Sequence, residues 1–224
     1  MARVCVFDVN ETLLDLGALD PHFEQAFGDA GVRRAWFLQL LQSALVATVT
    51  GTYSDFGEVG GAALEMVAER EGVDLSDGDK QKFLGDMREL PPHPEVAESL
   101  DRLRDAGLRL ATLTNSTRQV AEAQMENSGL RDYFEQILSA DDVKRLKPAP
   151  EPYRMAAESL AVEVEGLRLV AAHAWDVAGA LRAGCAAAFV ARPGMVLDPL
   201  VERPGVVGAD LRQVADRILQ IEQG

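Results

Sequence analysis

Positive charge and cysteine are both scarce in this chain of 224 residues, which has 22 Lys and Arg against 36 Asp and Glu, and two Cys. The net charge of −14 argues against a nucleic-acid partner, whose phosphates it would repel. It also requires that any small anionic substrate be held by a local cationic or N–H-rich pocket. Cys5 and Cys185 both lie in apolar stretches, and they read as reduced core residues rather than a disulfide framework. No run approaches the roughly 20 apolar residues a membrane span needs, so no membrane partner is expected. The first residues lack the basic flank and small-residue cleavage site of a signal peptide, and a cytoplasmic location is expected. There is no internal repeat and no low-complexity segment. What is present, 47% hydrophobic and 26% charged residues, is the composition of a globular chain able to form one domain, or a core plus a smaller insert.

The pattern along the chain changes twice. Residues 3–8, RVCVFD, form a short β-prone run ending in an acid. From about 18 to 92 the apolar residues recur at helical spacing with no convincing strand between them. Two of these helices, at 55–73 and 76–90, open with Ser/Asp capping signals. PPHPE at 91–95 ends the block, because Pro cannot continue a helix. Strand and helix then alternate. Strands are expected at 108–115, 167–176 and 185–192, and a strand running into a loop at 134–143. Helices are expected at 95–107, 116–129 with Ser116 as N-cap, 151–162, 177–184 and 209–222. This alternation predicts an α/β fold, a three-layer Rossmann-like parallel sheet core with an inserted helical cap domain. The core is expected to comprise residues 1–17 and 93–224, and the cap residues 18–92. Polar residues recur where strands end, at Asp8, Thr114-Asn115, Ser139 and His173 to Asp176, where such sheets bind their ligands.

Four of these segments, FDVNETLLD (7–15), LTNST (113–117), LKPAPEPY (146–153) and AHAWDVAGA (172–180), together resemble the haloacid dehalogenase-like hydrolase superfamily, and within it the type II 2-haloacid dehalogenases. The resemblance implies that Asp8 is a nucleophile forming a covalent ester that water then hydrolyses. It implies that Thr12 supports Asp8, that Lys147 neutralises it, and that Asp176 is the last acid of the site. Thr114 and Asn115 match the pair that holds a substrate anion, with Val9 and Asn10 beside the nucleophile. Trp175 matches a pocket wall. Tyr153 matches a dehalogenase Tyr, with a core Tyr as the plainer reading.

The phosphatases of the superfamily carry a second Asp two places after the nucleophile, as general acid. Here that residue is Asn10, which has no proton to exchange. A late acid of their Mg²⁺ site is replaced by Ala172. No metal and no cofactor are therefore expected, and carbon–halogen cleavage fits better, since a halide leaves without a general acid. The expected substrate is a small 2-haloalkanoic acid. A Mg²⁺-dependent phosphatase and a catalytically weak binding or regulatory member are the alternatives.

Three positions depart from the dehalogenase pattern. Asn10-Glu11 replaces Tyr-Gly. His173 replaces Asn, and reads either as a base for ester hydrolysis or as a strand-end imidazole bonded to a neighbour. Phe37 falls where the halide-stabilising Arg should be, with Phe56 further along the cap, and Arg33 or Arg34 could substitute from another turn. The family resemblance also suggests a homodimer.

Overall fold

The computed structural model describes residues 4–222, so Arg3 of the first expected strand lies outside the described residues. Six strands form one parallel sheet: β1 (Val4–Phe7), β2 (Arg109–Thr114), β3 (Gln136–Ser139), β4 (Leu167–Ala171), β5 (Ala186–Val190) and β6 (Val206–Gly208). Their order across the sheet is β3-β2-β1-β4-β5-β6. A sheet buried on both faces needs apolar residues of both parities, and β1 supplies them. Val4 and Val6 face a cluster with Leu113, Leu169 and Phe189, covered by α7 (Pro150–Ser159) and α8 (Ala174–Ala183). Cys5 and Phe7 face the opposite cluster with Leu110, Val170 and Val206. That side is covered by α5 (Val96–Asp105), α6 (Arg118–Asn127) and α9 (Leu211–Glu222).

Four helices stand between β1 and α5: α1 (Asp20–Phe27), α2 (Val32–Thr50), α3 (Phe56–Glu71) and α4 (Asp77–Asp86). The expected caps form as capping boxes, Asp55 with Glu58 at α3 and Ser76 with Asp79 at α4, each satisfying orphan backbone donors in both directions. Phe23 packs its ring against both Trp36 and Phe83 in tilted contacts, and the Trp36 indole donates to the Gly60 carbonyl at 2.9 Å.

Several boundaries differ from the sequence expectation. The strand expected over 167–176 stops at Ala171, and α8 begins at Ala174 with His173 as its N-cap. Trp175 and Asp176 therefore occupy the first turn of a helix. Ser116 does not cap α6: Thr117 does, accepting from the Val120 N–H. Over 134–143 the expected strand runs into its loop after four residues, the loop opening as a 3₁₀ turn, Ala140–Val143, whose entry Ser139 caps. The triplet β6 is too short for periodicity to reveal. It forms by pairing with β5, and Gly208 lets it pass under α9, since a Cβ there would lie 2.8 Å from the Val214 nitrogen.

Cys5 and Cys185 are buried and unpaired. Burial pushes both thiols up to about 12, so neither is a thiolate nucleophile at neutral pH. Among the described residues no helix is long and apolar enough to cross a membrane.

Candidate active site

From β1 the sheet grows in opposite directions toward β2 and β4, so the carboxyl ends of these three strands frame a switch-point crevice. Asp8 stands at the end of β1, its N–H bonded to the Val170 carbonyl of β4 at 3.0 Å. Each of its carboxylate oxygens is held. Lys147 Nζ approaches Oδ1 at 3.0 Å. Thr12 donates its hydroxyl to Oδ2 at 2.7 Å, and the same hydroxyl accepts from the Ala172 N–H at 2.9 Å. Burial works against the Asp8 charge, yet Lys147, His173 and Thr12 outweigh it and hold the carboxyl well below the usual range. A buried carboxylate kept ionised by cations and donors is equipped for nucleophilic attack.

Lys147 is almost fully buried, and its ammonium is shared by Asp8, the Leu113 carbonyl at 2.8 Å and Asp176 Oδ2 at 2.6 Å. Burial disfavours its charge, but the two carboxylates raise its pKa above the ordinary value. Asp176 takes a second donor, the Tyr153 hydroxyl, on Oδ1 at 2.5 Å. Burial and the nearby Asp8 charge raise Asp176 while Lys147 and Tyr153 oppose the rise.

His173 bridges two acids. Its Nδ1 lies 3.2 Å from Asp8 Oδ2 and its Nε2 lies 3.0 Å from Glu11 Oε2. Burial lowers the tendency of the ring to charge, but the two carboxylates lift its pKa to about 9. The resting ring is an imidazolium and donates to both acids. With Asp8 ionised, His173 is not a base at neutral pH; its reading as a base for ester hydrolysis concerns the ester, where the Asp8 charge is absent. Glu11 adopts a left-handed backbone with φ of 61°, a region that favours Gly. The two departures at Glu11 and His173 thus meet in space, and no sequence periodicity links them.

The cavity in front of Asp8 is lined by Asn10, Phe37, Leu41, Phe56, Thr114, Asn115, His173 and Trp175. Its free volume is about 10 Å³, room for about one water. The Phe37 ring lies 5.8 Å from the His173 ring, and the Trp175 ring lies 5.3 Å from it. The indole N–H of Trp175 is buried without a partner.

Two of the expected substrate-binding residues stand outside this cavity. The Val9 side chain is buried in the core, and its carbonyl accepts from Leu13 and Leu14. Tyr153 lies behind Asp176 in the opposite core cluster, so it orients an acid and does not line the pocket. Two others line the cavity with their side chains already engaged. Thr114 accepts from the Ser116 N–H. Asn115 binds the backbone of Lys147 through both ends of its amide. Arg33 does not replace the missing Arg: it pairs with Asp20 and lies 3.6 Å from Glu11. Glu11, Leu41 and Gln124 went unassigned. Gln124 donates to the Asn10 side-chain Oδ1 at 2.9 Å.

The donor set does not suit Mg²⁺, which prefers several free oxygen ligands. The Asp8 and Asp176 oxygens are taken by Lys147, Thr12, His173 and Tyr153, and Asn10 is engaged by Gln124.

Residues 2–184 match the family model described as haloacid dehalogenase-like hydrolase. The chain is 30% identical to (S)-2-haloacid dehalogenase 4A of Burkholderia cepacia, over 86% of this chain and 84% of that protein. It is 28% identical to haloacetate dehalogenase H-2 of Moraxella sp. (strain B), over 88% and 89% of the two. The structure of L-2-haloacid dehalogenase from Xanthobacter autotrophicus with chloropropionic acid covalently bound superposes with a TM-score of 0.91. That match has 25% identity and covers 100% of this chain and 99% of that one. Matched over most of its length in sequence and throughout in fold, this chain belongs to the haloacid dehalogenase-like hydrolases, in the branch that holds the 2-haloacid dehalogenases.

Proposed function

We propose that the chain hydrolyses the carbon–halogen bond of small 2-haloalkanoic acids through an ester on Asp8. The observation that carries this reading is Asp8 itself, buried and held ionised by Lys147, Thr12 and His173 in front of a narrow cavity walled by Phe37, Phe56 and Trp175. An Asp8 oxygen attacks C2 of the acid. The C–O bond forms as the carbon–halogen bond breaks, and the bonding pair leaves with the halide. The unpartnered indole N–H of Trp175 offers a donor to an anion in this cavity.

Esterification removes the Asp8 charge that helps keep His173 protonated. The His173 proton then leaves by way of Glu11, and the neutral ring accepts a proton from water as its oxygen attacks the Asp8 carbonyl carbon. The ester breaks to the hydroxy acid and a free carboxylate, and His173 is again an imidazolium. Each turnover consumes one water and releases one proton and one halide. Lys147 and Asp176 act as a fixed pair that orients and neutralises Asp8.

In this reading residues 18–92 are the cap that closes the crevice, and residues 1–17 and 93–224 are the hydrolase core. The enzyme works in the cytoplasm, a compartment suited to its two unpaired thiols. It forms a homodimer through the exposed apolar stripe of α2, which includes Leu38, Val46 and Val49.

The test is halide release from chloroacetate, bromoacetate and 2-chloropropionate, against p-nitrophenyl phosphate with and without Mg²⁺. Halide release unaffected by EDTA is expected. In a single turnover in ¹⁸O-water, label should enter Asp8 and not the hydroxy acid. Brisk Mg²⁺-dependent phosphatase activity without halide release would refute the reading. Sedimentation velocity on wild type and Val49→Glu checks the dimer.

A further inference from the structure

We propose a second binding site for small monocarboxylates, an antechamber from which the acid passes Phe37 to reach Asp8. This builds on the haloacid reading. The cavity at Asp8 has room for about one water, so a substrate cannot enter without a wall moving. Phe37 also lines a second, larger cavity of about 400 Å³. The two cavities are joined chemically as well, because Glu11 lines the outer one and bonds His173, which lines the inner one.

The outer cavity carries unsatisfied donors in a chain of net charge −14. Arg34 lines it, is exposed, and has no carboxylate within ion-pair distance among the described residues. Arg192 lines it and is buried. Two of its nitrogens bind Glu95 and the Thr12 carbonyl, but its Nε–H has no partner. His93 lines it too; burial and Arg192 lower its pKa, so the neutral ring adds no charge but stands where it can report an occupant. The wall also holds acids, but they are engaged: Glu11 by His173 and Arg33, and Asp15 by the Gly17 N–H. A single carboxylate of a two- or three-carbon acid matches this set in charge and size. The field of Arg34 would concentrate such anions at the entrance, and the departing halide and the proton carried by Glu11 would leave into the same space.

The test uses propionate, which has no halogen to displace. The chain has three histidines, so imidazole NMR can follow His93 and His173 separately. Saturable shifts of His93 are expected in wild type, with affinity lowered about fivefold in Arg34→Gln, the size expected for losing one exposed ion pair. In chloroacetate turnover, Arg34→Gln should raise KM by a similar factor and leave kcat unchanged. Phe37→Trp, checked for folding by circular dichroism, should keep the His93 response while slowing halide release. The proposal is overturned if propionate moves only His173, if neither ring responds, or if Arg34→Gln binds as tightly as wild type. Absence of halide release from every haloacid would sink the dehalogenase reading, while the His93 titration would still decide the antechamber.

Discussion

Asn115 grips the backbone of Lys147 from both sides, its Oδ1 accepting from the Lys147 N–H at 2.8 Å and its Nδ2 donating to the Lys147 carbonyl at 3.3 Å. This fixes where the lysine leaves its loop, and hence where its ammonium meets Asp8. Asn115→Ala should strand two buried backbone groups, at a cost of roughly 2–4 kcal/mol of stability. It should lower kcat at least tenfold while Lys147 itself is intact. Thermal unfolding and halide release measure the two effects, and an unchanged kcat in a folded variant would refute the positioning role.

The charge on His173 depends on Asp8 and Glu11. In wild type its pKa is lifted to about 9, and in Asp8→Asn it should fall toward the ordinary value near 6.5, as read by imidazole NMR. The linkage sign follows: a raised folded-state pKa contributes stability that is fully present below about 6.5 and lost as pH rises through about 9. The stability advantage of wild type over His173→Gln should therefore shrink between those values in denaturant titrations. A constant difference would show that the ring is not charged in the fold.

Phe37→Arg would place a guanidinium where the halide departs, but Phe37 packs 5.8 Å from the His173 ring. A second cation beside an imidazolium is repelled. The single variant should gain little in halide release and lose stability. Phe37→Arg combined with His173→Asn removes the conflict and should exceed the single variant in halide release by severalfold. Equal rates in the two would mean that the cations do not interact.

Behind the site, Gly179 on α8 lies against Tyr153 and Pro148. A Cβ at 179 would come within 2.6 Å of both the Tyr153 hydroxyl oxygen and Pro148 Cβ. Gly179→Ala should push apart the contacts that hold Asp176 and the Lys147-Pro148 loop, destabilising the fold by roughly 1–3 kcal/mol and reducing turnover. Tyr153→Phe removes only the hydroxyl on Asp176 and should be milder in both. If Gly179→Ala matches wild type in melting temperature, the close packing is not rigid.

Much of this molecule was legible in the chain, because short-range physics writes it there. Alternating strands and helices, strand-end polar residues and the capping pairs at Asp55 and Ser76 are local patterns, and they predict a parallel sheet with Asp8, Thr114 and His173 along one edge. Strand ends differ from the sequence expectation where the local pattern is ambiguous. AAHAWD is apolar enough to continue a strand, yet α8 starts inside it at Ala174, because Ala and Trp carry no mark separating a buried strand from a buried first turn. β6 exists only through pairing with β5. Side-chain roles depended most on tertiary structure. That Tyr153 holds an acid, that Asn115 binds a lysine backbone, and that Glu11 and His173 form one pair are contacts spanning 23 to 162 residues. The sequence by itself determined which chemical groups were available and along which strand ends they would lie. Only folding decided which carboxylate faces which cation, because burial and distance, and not residue type, set the charge each group carries.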